Sequence, residues 1–214
     1  MPIAVSPADG NVRRLATLAA GLPLISLGVA CTIRADIGVA PYDVLLTGTV
    51  AFTGIGIGIA AMLLPLLFIL TGVLLGARTR PGTYIAALTI GPVLGLVLPA
   101  LPVPPSIPTQ LAYFLAGFCI VVSGITLVVA ADIGPGPLEI VMLALDAKGY
   151  PLARARTGIE VICGVLGWAM GGQLGVGTII FALLTGLALR HTLALVGFRP
   201  ETTSTASNLA SAGA

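Results

Sequence analysis

The chain has 214 residues, of which 57% are hydrophobic and 8% charged, and its mean hydropathy is +1.10. Soluble domains carry about a quarter charged residues, so the composition excludes a water-soluble globule and predicts an integral membrane protein. A net charge of +2 with no long basic run excludes a nucleic-acid binder.

Taken in order, apolar runs fall at about 15–35, 57–76, 83–100, 111–131, 153–170 and 178–197. Each approaches the ~20 residues that a ~30 Å hydrocarbon layer requires of a helix. Arg13-Arg14 ahead of the first run resemble a signal-peptide start. That run is long and leads directly into a motif, so it reads as a retained span. Two shorter pieces, about 41–52 and 137–147, give helices of roughly 16–18 Å, about half a membrane.

Each short piece follows one version of a motif. "ADIGVAPYD" runs from Ala35 to Asp43 and "ADIGPGPLE" from Ala131 to Glu139. Asp36, Gly38, Pro41 and Asp43 recur 96 positions later as Asp132, Gly134, Pro137 and Glu139. Gly82-Thr83 and Gly91 recur 95 positions later as Gly177-Thr178 and Gly186. The chain therefore reads as two transmembrane repeats, 13–100 and 111–197. They are joined by a Pro-rich extracytoplasmic linker, 101–110, preceded by an N-terminal cytoplasmic segment, 1–12, and followed by a disordered Ser/Thr/Ala-rich tail, 198–214.

If the short helices do not cross, Arg13/Arg14, Arg78/Arg80, Lys148/Arg154/Arg156 and Arg199 share one side, the cytoplasm. The expected fold is an all-α, polytopic helical bundle of six spans with both termini cytoplasmic. Three spans per repeat force the repeats into opposite orientations, a plan frequent in secondary transporters. Each repeat carries a half-helix after its D-x-G-x-x-P-x-D/E motif, either re-entrant or interfacial.

The motif has a local chemistry. Gly38 and Gly134 allow a sharp break. Pro41 and Pro137 suit a first helical position. Asp43 and Glu139 then fall in the first turn, facing unpaired N–H groups and the positive end of the dipole. The plain reading makes both acids helix caps. The functional reading makes them part of a polar site between the repeats. Five of the eight acids (Asp36, Asp43, Asp132, Glu139 and Glu160) lie in or beside apolar segments, where acids are costly and mark function. Asp43, Glu139, Pro41, Pro137, Tyr42, Asp36 and Asp132 are the candidate substrate-binding residues, with Tyr42 as an aromatic lid.

Glu160 has no acidic counterpart in the first repeat, where the register falls near Leu64. It stands one turn after Arg156, so the two form either an interfacial i, i+4 pair or a proton- or cation-coupling site. Arg34 either snorkels to the interface, pairs with Asp36 or meets an anionic group. Cys31, Cys119 and Cys163 read as buried small hydrophobes. Gly54/Gly58, Gly72/Gly76, Gly91/Gly95 and Gly167/Gly171 allow close helix approach, but 28 glycines make any one contact weakly specified. His191 reads as a surface residue. No metal-ligand cluster and no Ser/His or Cys/His arrangement is present, so no enzyme, metal or cofactor is expected.

With these residues in view, the chain resembles the YczE/YitT group of bacterial integral membrane proteins, the YczE branch most. The motifs that carry the resemblance are "IRADIGVAPYDVLLTG" (Ile33–Gly48), "ADIGPGPLEIVMLAL" (Ala131–Leu145), "RTGIEVICGVLGWAMGG" (Arg156–Gly172) and "GVGTIIFALLTG" (Gly175–Gly186). The resemblance implies a polytopic bacterial inner-membrane protein and names no substrate. It implies Trp where this chain has Tyr42, and a basic residue followed by Asp where it has Leu138 and Glu139. Glu160 matches a Glu of the group.

Two functions are carried forward. One is a small secondary transporter or exporter of a small polar solute, with Glu160 and Arg156 coupling transport to a proton or cation. The other is a non-transporting scaffold or regulatory partner of another membrane or biosynthetic machine. Expected partners are the lipid bilayer and the solute, and either a second copy or a partner membrane protein.

Overall fold

The computed structural model describes residues 7–195, with side chains from 12 to 194. Every regular element among the described residues is an α-helix: α1 (Pro7–Ala35), α2 (Pro41–Thr53), α3 (Ile57–Leu74), α4 (Pro81–Ala100), α5 (Ile107–Ala131), α6 (Pro137–Asp146), α7 (Leu152–Ala169) and α8 (Val176–Leu195). Pro41, Pro81 and Pro137 each open a helix, where the missing N–H has no partner to lose. Both short pieces are there, of 13 and 10 residues. Two boundaries differ from expectation. α1 begins at Pro7, so half of the expected N-terminal segment is helical. α5 takes in the end of the expected linker, because Ser106 caps it in a reciprocal capping box with Thr109. The expected C-terminal tail lies outside the described residues.

Among the described residues, five helical stretches are long and apolar enough to cross a membrane: Val12–Ala35, Ile57–Leu74, Pro81–Ala100, Ile107–Ala131 and Val176–Ala194. The expected sixth, α7, has the length, at 18 residues, but carries Arg154, Arg156 and Glu160. Those charges lower its hydropathy below that of the other five. Large apolar side chains stand out from the bundle along its length, among them Leu74, Leu96, Val176 and Leu183. A surface of this kind fits hydrocarbon and not water. Cys119 is on it, against the expectation that all three cysteines are buried.

The bundle is built on α1 against α5. Gly21 of α1 faces Gly124 of α5, and Gly28 faces Gly117, so the two helices run antiparallel. A Cβ added at Gly28 would stand 2.7 Å from the Val121 nitrogen and 2.8 Å from the Gly117 oxygen. Only glycine permits that approach. Around this pair, α4 packs on α1 and α8 on α5, α2 packs on α7 and α6 on α3. α3 packs along α4, whereas α7 does not pack along α8.

The motif loops lie at opposite ends of α1. At one end, the Gly177 N–H donates to the Ile37 carbonyl at 2.8 Å, and the Val39 N–H to the Gln173 carbonyl at 3.3 Å. At the other, the Thr83 hydroxyl donates to the Pro135 carbonyl at 2.6 Å. Thus the loop before α2 is held by the start of α8, and the loop before α6 by the start of α4.

Candidate binding site

The break after each long helix begins two residues before the motif glycine. Asp36 and Asp132 have φ of 54° and 49°. Asp is one of the few residues with a side chain that enters this left-handed region readily. Asp132 is the residue after α5, and Asp36 the residue after α1. Gly38 (φ 110°) and Gly134 (φ 158°) follow, and the chain turns inward. Ala40 and Gly136 are then the N-caps, which puts Asp43 and Glu139 at the same third position of their helices.

Neither acid caps its helix. No side-chain hydrogen bond closes the start of α2 or α6. Among the described residues, no hydrogen bond or ion pair holds the Asp43 carboxyl, although it is buried at 7% exposure. Both acids line one cavity of about 240 Å³ in the middle of the bundle. Pro41, Tyr42, Pro137, Arg156 and Glu160 line it as well. Seven of the nine residues singled out in the sequence therefore meet at one place.

Much of the rest of the lining comes in equivalent pairs from the two halves. Ile25 and Val29 of α1 have Val121 and Ile125 of α5 as counterparts; Ala87 and Ile90 of α4 have Ala182 and Thr185 of α8. Arg156 and Glu160 stand where the first half has Ala61 and Pro65, also in the lining. The cavity is thus apolar where α3 lines it and charged where α7 does. Arg156 Nε donates to Glu160 Oε1 at 2.9 Å, the i, i+4 pair that the spacing predicts. The Tyr42 hydroxyl is buried without a hydrogen-bond partner, and the ring lies edge-on to Phe68 with centroids 5.7 Å apart. The exposed members of the lining, Glu139, Arg156 and Ala182, belong to α6, α7 and α8, so the cavity opens between those helices.

Asp36 and Asp132 are outside this cavity, at opposite ends of the bundle, where they turn the chain. Asp132 lies 3.8 Å from Arg14 and 3.6 Å from Arg80. Asp36 accepts from Gln173 Nε2 at 3.1 Å and lines a second, outer cavity of about 470 Å³ with Arg34. Arg34 is half-buried and does not pair with Asp36. Its Nε and Nη2 donate to the Leu98 carbonyl at 3.0 and 2.7 Å, near the negative end of α4. Sequence reasoning missed Gln173, whose signal is a lone polar side chain in a glycine-rich loop. It also missed Thr185, which the repeat register places opposite Ile90.

A family model described as "Family of unknown function (DUF6198)" matches residues 12–192. The chain belongs to this family. It is 28% identical to the uncharacterised membrane protein YczE of Bacillus subtilis over 177 residues, 81% of this chain and 82% of YczE. It is 23% identical to an uncharacterised protein of Haemophilus influenzae over 190 residues, covering 88% and 87% of the two chains. It is 25% identical to the uncharacterised B. subtilis protein YyaS over 182 residues, covering 82% and 90%. No solved structure matches. The match to YczE bears out the resemblance read from the motifs. The protein is an all-helical membrane protein of this YczE-like group.

Proposed function

We propose that the protein is a small secondary transporter or exporter that moves a small solute through the cavity between two inverted repeats. One observation carries the reading: two half-helices, one from each half of the chain, bring Asp43 and Glu139 to the same cavity, and Asp43 is buried there without a partner. Asp43 presents its carboxyl to a cavity lined mostly by apolar side chains, where an acid is costly and marks function.

The inverted arrangement is supported by the glycine crossing. Gly21 and Gly28 recur 96 positions later as Gly117 and Gly124, and the two helices that carry them are antiparallel. On this reading α7 is the sixth span. Its Arg156 and Glu160 side chains line the cavity and pair with each other, which lowers the cost of two charges within a span. Both termini are then cytoplasmic in a bacterial inner membrane, with Arg14, Arg80 and Asp132 at the cytoplasmic end. Pro41, Pro137 and Tyr42 shape the cavity, Asp43 and Glu139 hold the solute, and the Arg156–Glu160 pair is the coupling element. Asp36 and Asp132 act as hinges at the ends of α1 and α5, not as ligands.

Everted membrane vesicles from cells expressing the protein, loaded by incubation with cytosolic extract, test this reading. Mass spectrometry is expected to find at least one small solute accumulated by the parent and not by a folded Asp43→Asn/Glu139→Gln variant. Identical contents would contradict transport and favour the scaffold reading.

A further inference from the structure

Resting on that reading, we infer that the cargo is a small amine or quaternary ammonium with an apolar body, and that Asp43 is the counter-ion for its single positive charge. Three observations on the cavity set this chemistry. The first is its charge. Asp43 and Glu139 contribute two carboxylates, and Glu160 is matched by Arg156. The first turns of α2 and α6 contribute partial positive charge of about half a unit each. The wall therefore carries about one net negative charge, which complements one cation. An anion would face both carboxylates. A zwitterion would bring a carboxylate to a place whose one basic side chain is already paired.

The second observation is the lining. Apart from the acids, the Arg156 side chain, Tyr42 and Thr185, it is aliphatic, aromatic or proline. The Thr185 hydroxyl already donates to the Phe181 carbonyl. A strongly hydrated solute such as a sugar would lose its water here and find few groups to replace it. An apolar body gains contacts instead. The volume of about 240 Å³ exceeds the roughly 150 Å³ of an apolar cavity that holds benzene. It suits a phenyl or cyclohexyl ring with a short aminoalkyl chain.

The third observation is a pair of neighbouring lining residues, Asp43 and Tyr42, whose side chains make no hydrogen bond among the described residues. The Asp43 carboxyl has no hydrogen-bond donor among the described residues, and the Tyr42 hydroxyl beside it is buried and unpartnered. An ammonium gives Asp43 the donor it lacks, and the Tyr42 ring supplies an aromatic face for cation–π contact. The opening between α6, α7 and α8, where α7 does not pack along α8, admits such a molecule from the side.

The experiment uses the detergent-purified chain and four probes that share a size range: 2-phenylethylamine, 3-phenylpropionate, phenylalanine and ethylamine. Unfolding temperature and calorimetric titration are the readouts. The expected result is a saturable rise in unfolding temperature with 2-phenylethylamine, absent with 3-phenylpropionate and phenylalanine and weak with ethylamine. Asp43→Asn should weaken binding at least about tenfold, the order expected when a close charge partner is neutralised. Should that variant fail to fold, Glu139→Gln, on the exposed start of α6, is the second arm and should weaken binding in the same direction. A saturable shift with phenylalanine or 3-phenylpropionate, lost in the variants, would overturn the amine assignment and leave the transport reading standing. No shift with 2-phenylethylamine would also overturn the assignment. The vesicle experiment above then decides the transport reading independently.

Discussion

At the scale of single residues, two positions carry most of the backbone argument. Gly28 sits where α1 touches α5, and a methyl group there would meet main-chain atoms on two sides. Gly28→Ala is expected to lower stability by about 1–3 kcal/mol, the usual cost of overpacking, read as a fall in unfolding temperature in detergent. Gly158, inside α7, has nothing within 4 Å of an added Cβ, so Gly158→Ala should be neutral or stabilising by about 0.5–1 kcal/mol. The second position is Asp132, in left-handed conformation. Asp132→Gly and Asp132→Ala lose the same weak ion pairs to Arg14 and Arg80, but only Ala keeps the steric penalty. Ala should therefore be the less stable of the two by about 1 kcal/mol. Equal stabilities would mean that the turn relaxes when the acid is removed. The role of the two aspartates as turns was not legible in the sequence. Their spacing to Asp43 and Glu139 marks them as motif members, and only the dihedral angles show that they hold left-handed turns.

Among elements, the half-helices were the most legible. A proline after a glycine break, followed by too few apolar residues to span a bilayer, predicts a short helix, and α2 and α6 are short helices. The partners of those helices were not legible. α2 packs on α7 and α6 on α3, and a helix face says nothing of which neighbour covers it. The glycine pairs showed the same limit. Gly58 does meet Gly91 and Gly95, whereas Gly54 and Gly76 touch nothing. α7 was legible in length but not in placement, because two of its three charges, Arg156 and Glu160, line the cavity. That arrangement makes a prediction. Arg156→Gln leaves Glu160 facing the lining without its partner, while Arg156→Gln/Glu160→Gln removes both charges. The double variant is expected to unfold at a higher temperature than the single one, since a lone charge costs more than a lost pair. The reverse order would place the pair in bulk water, away from the bundle interior.

For the molecule as a whole, the repeat offset was visible at a handful of positions and proves to run through the cavity lining. The sequence offers Asp43 and Glu139 as equivalent, and the structure makes them neighbours of one space. It also makes them unequal, one buried and one exposed. That inequality, together with the charged wall on α7 only, fits a protein standing in one of two states. A fluorescent protein fused to the C-terminus should fluoresce, as it does only on the cytoplasmic side, and alkaline phosphatase inserted after Val103 should be active. A silent C-terminal fusion would contradict six spans with both termini inside.

The central claim is that the Asp43 cavity communicates with both sides of the membrane in turn. It is tested by Asp43→Cys in a background where Cys31, Cys119 and Cys163 are replaced by Ala. A membrane-impermeant thiol reagent is added to right-side-out and to everted vesicles. The account predicts that the introduced thiol reacts in both preparations. Reaction from neither side, with the protein folded and its termini placed as above, would contradict it and make the cavity a sealed packing defect.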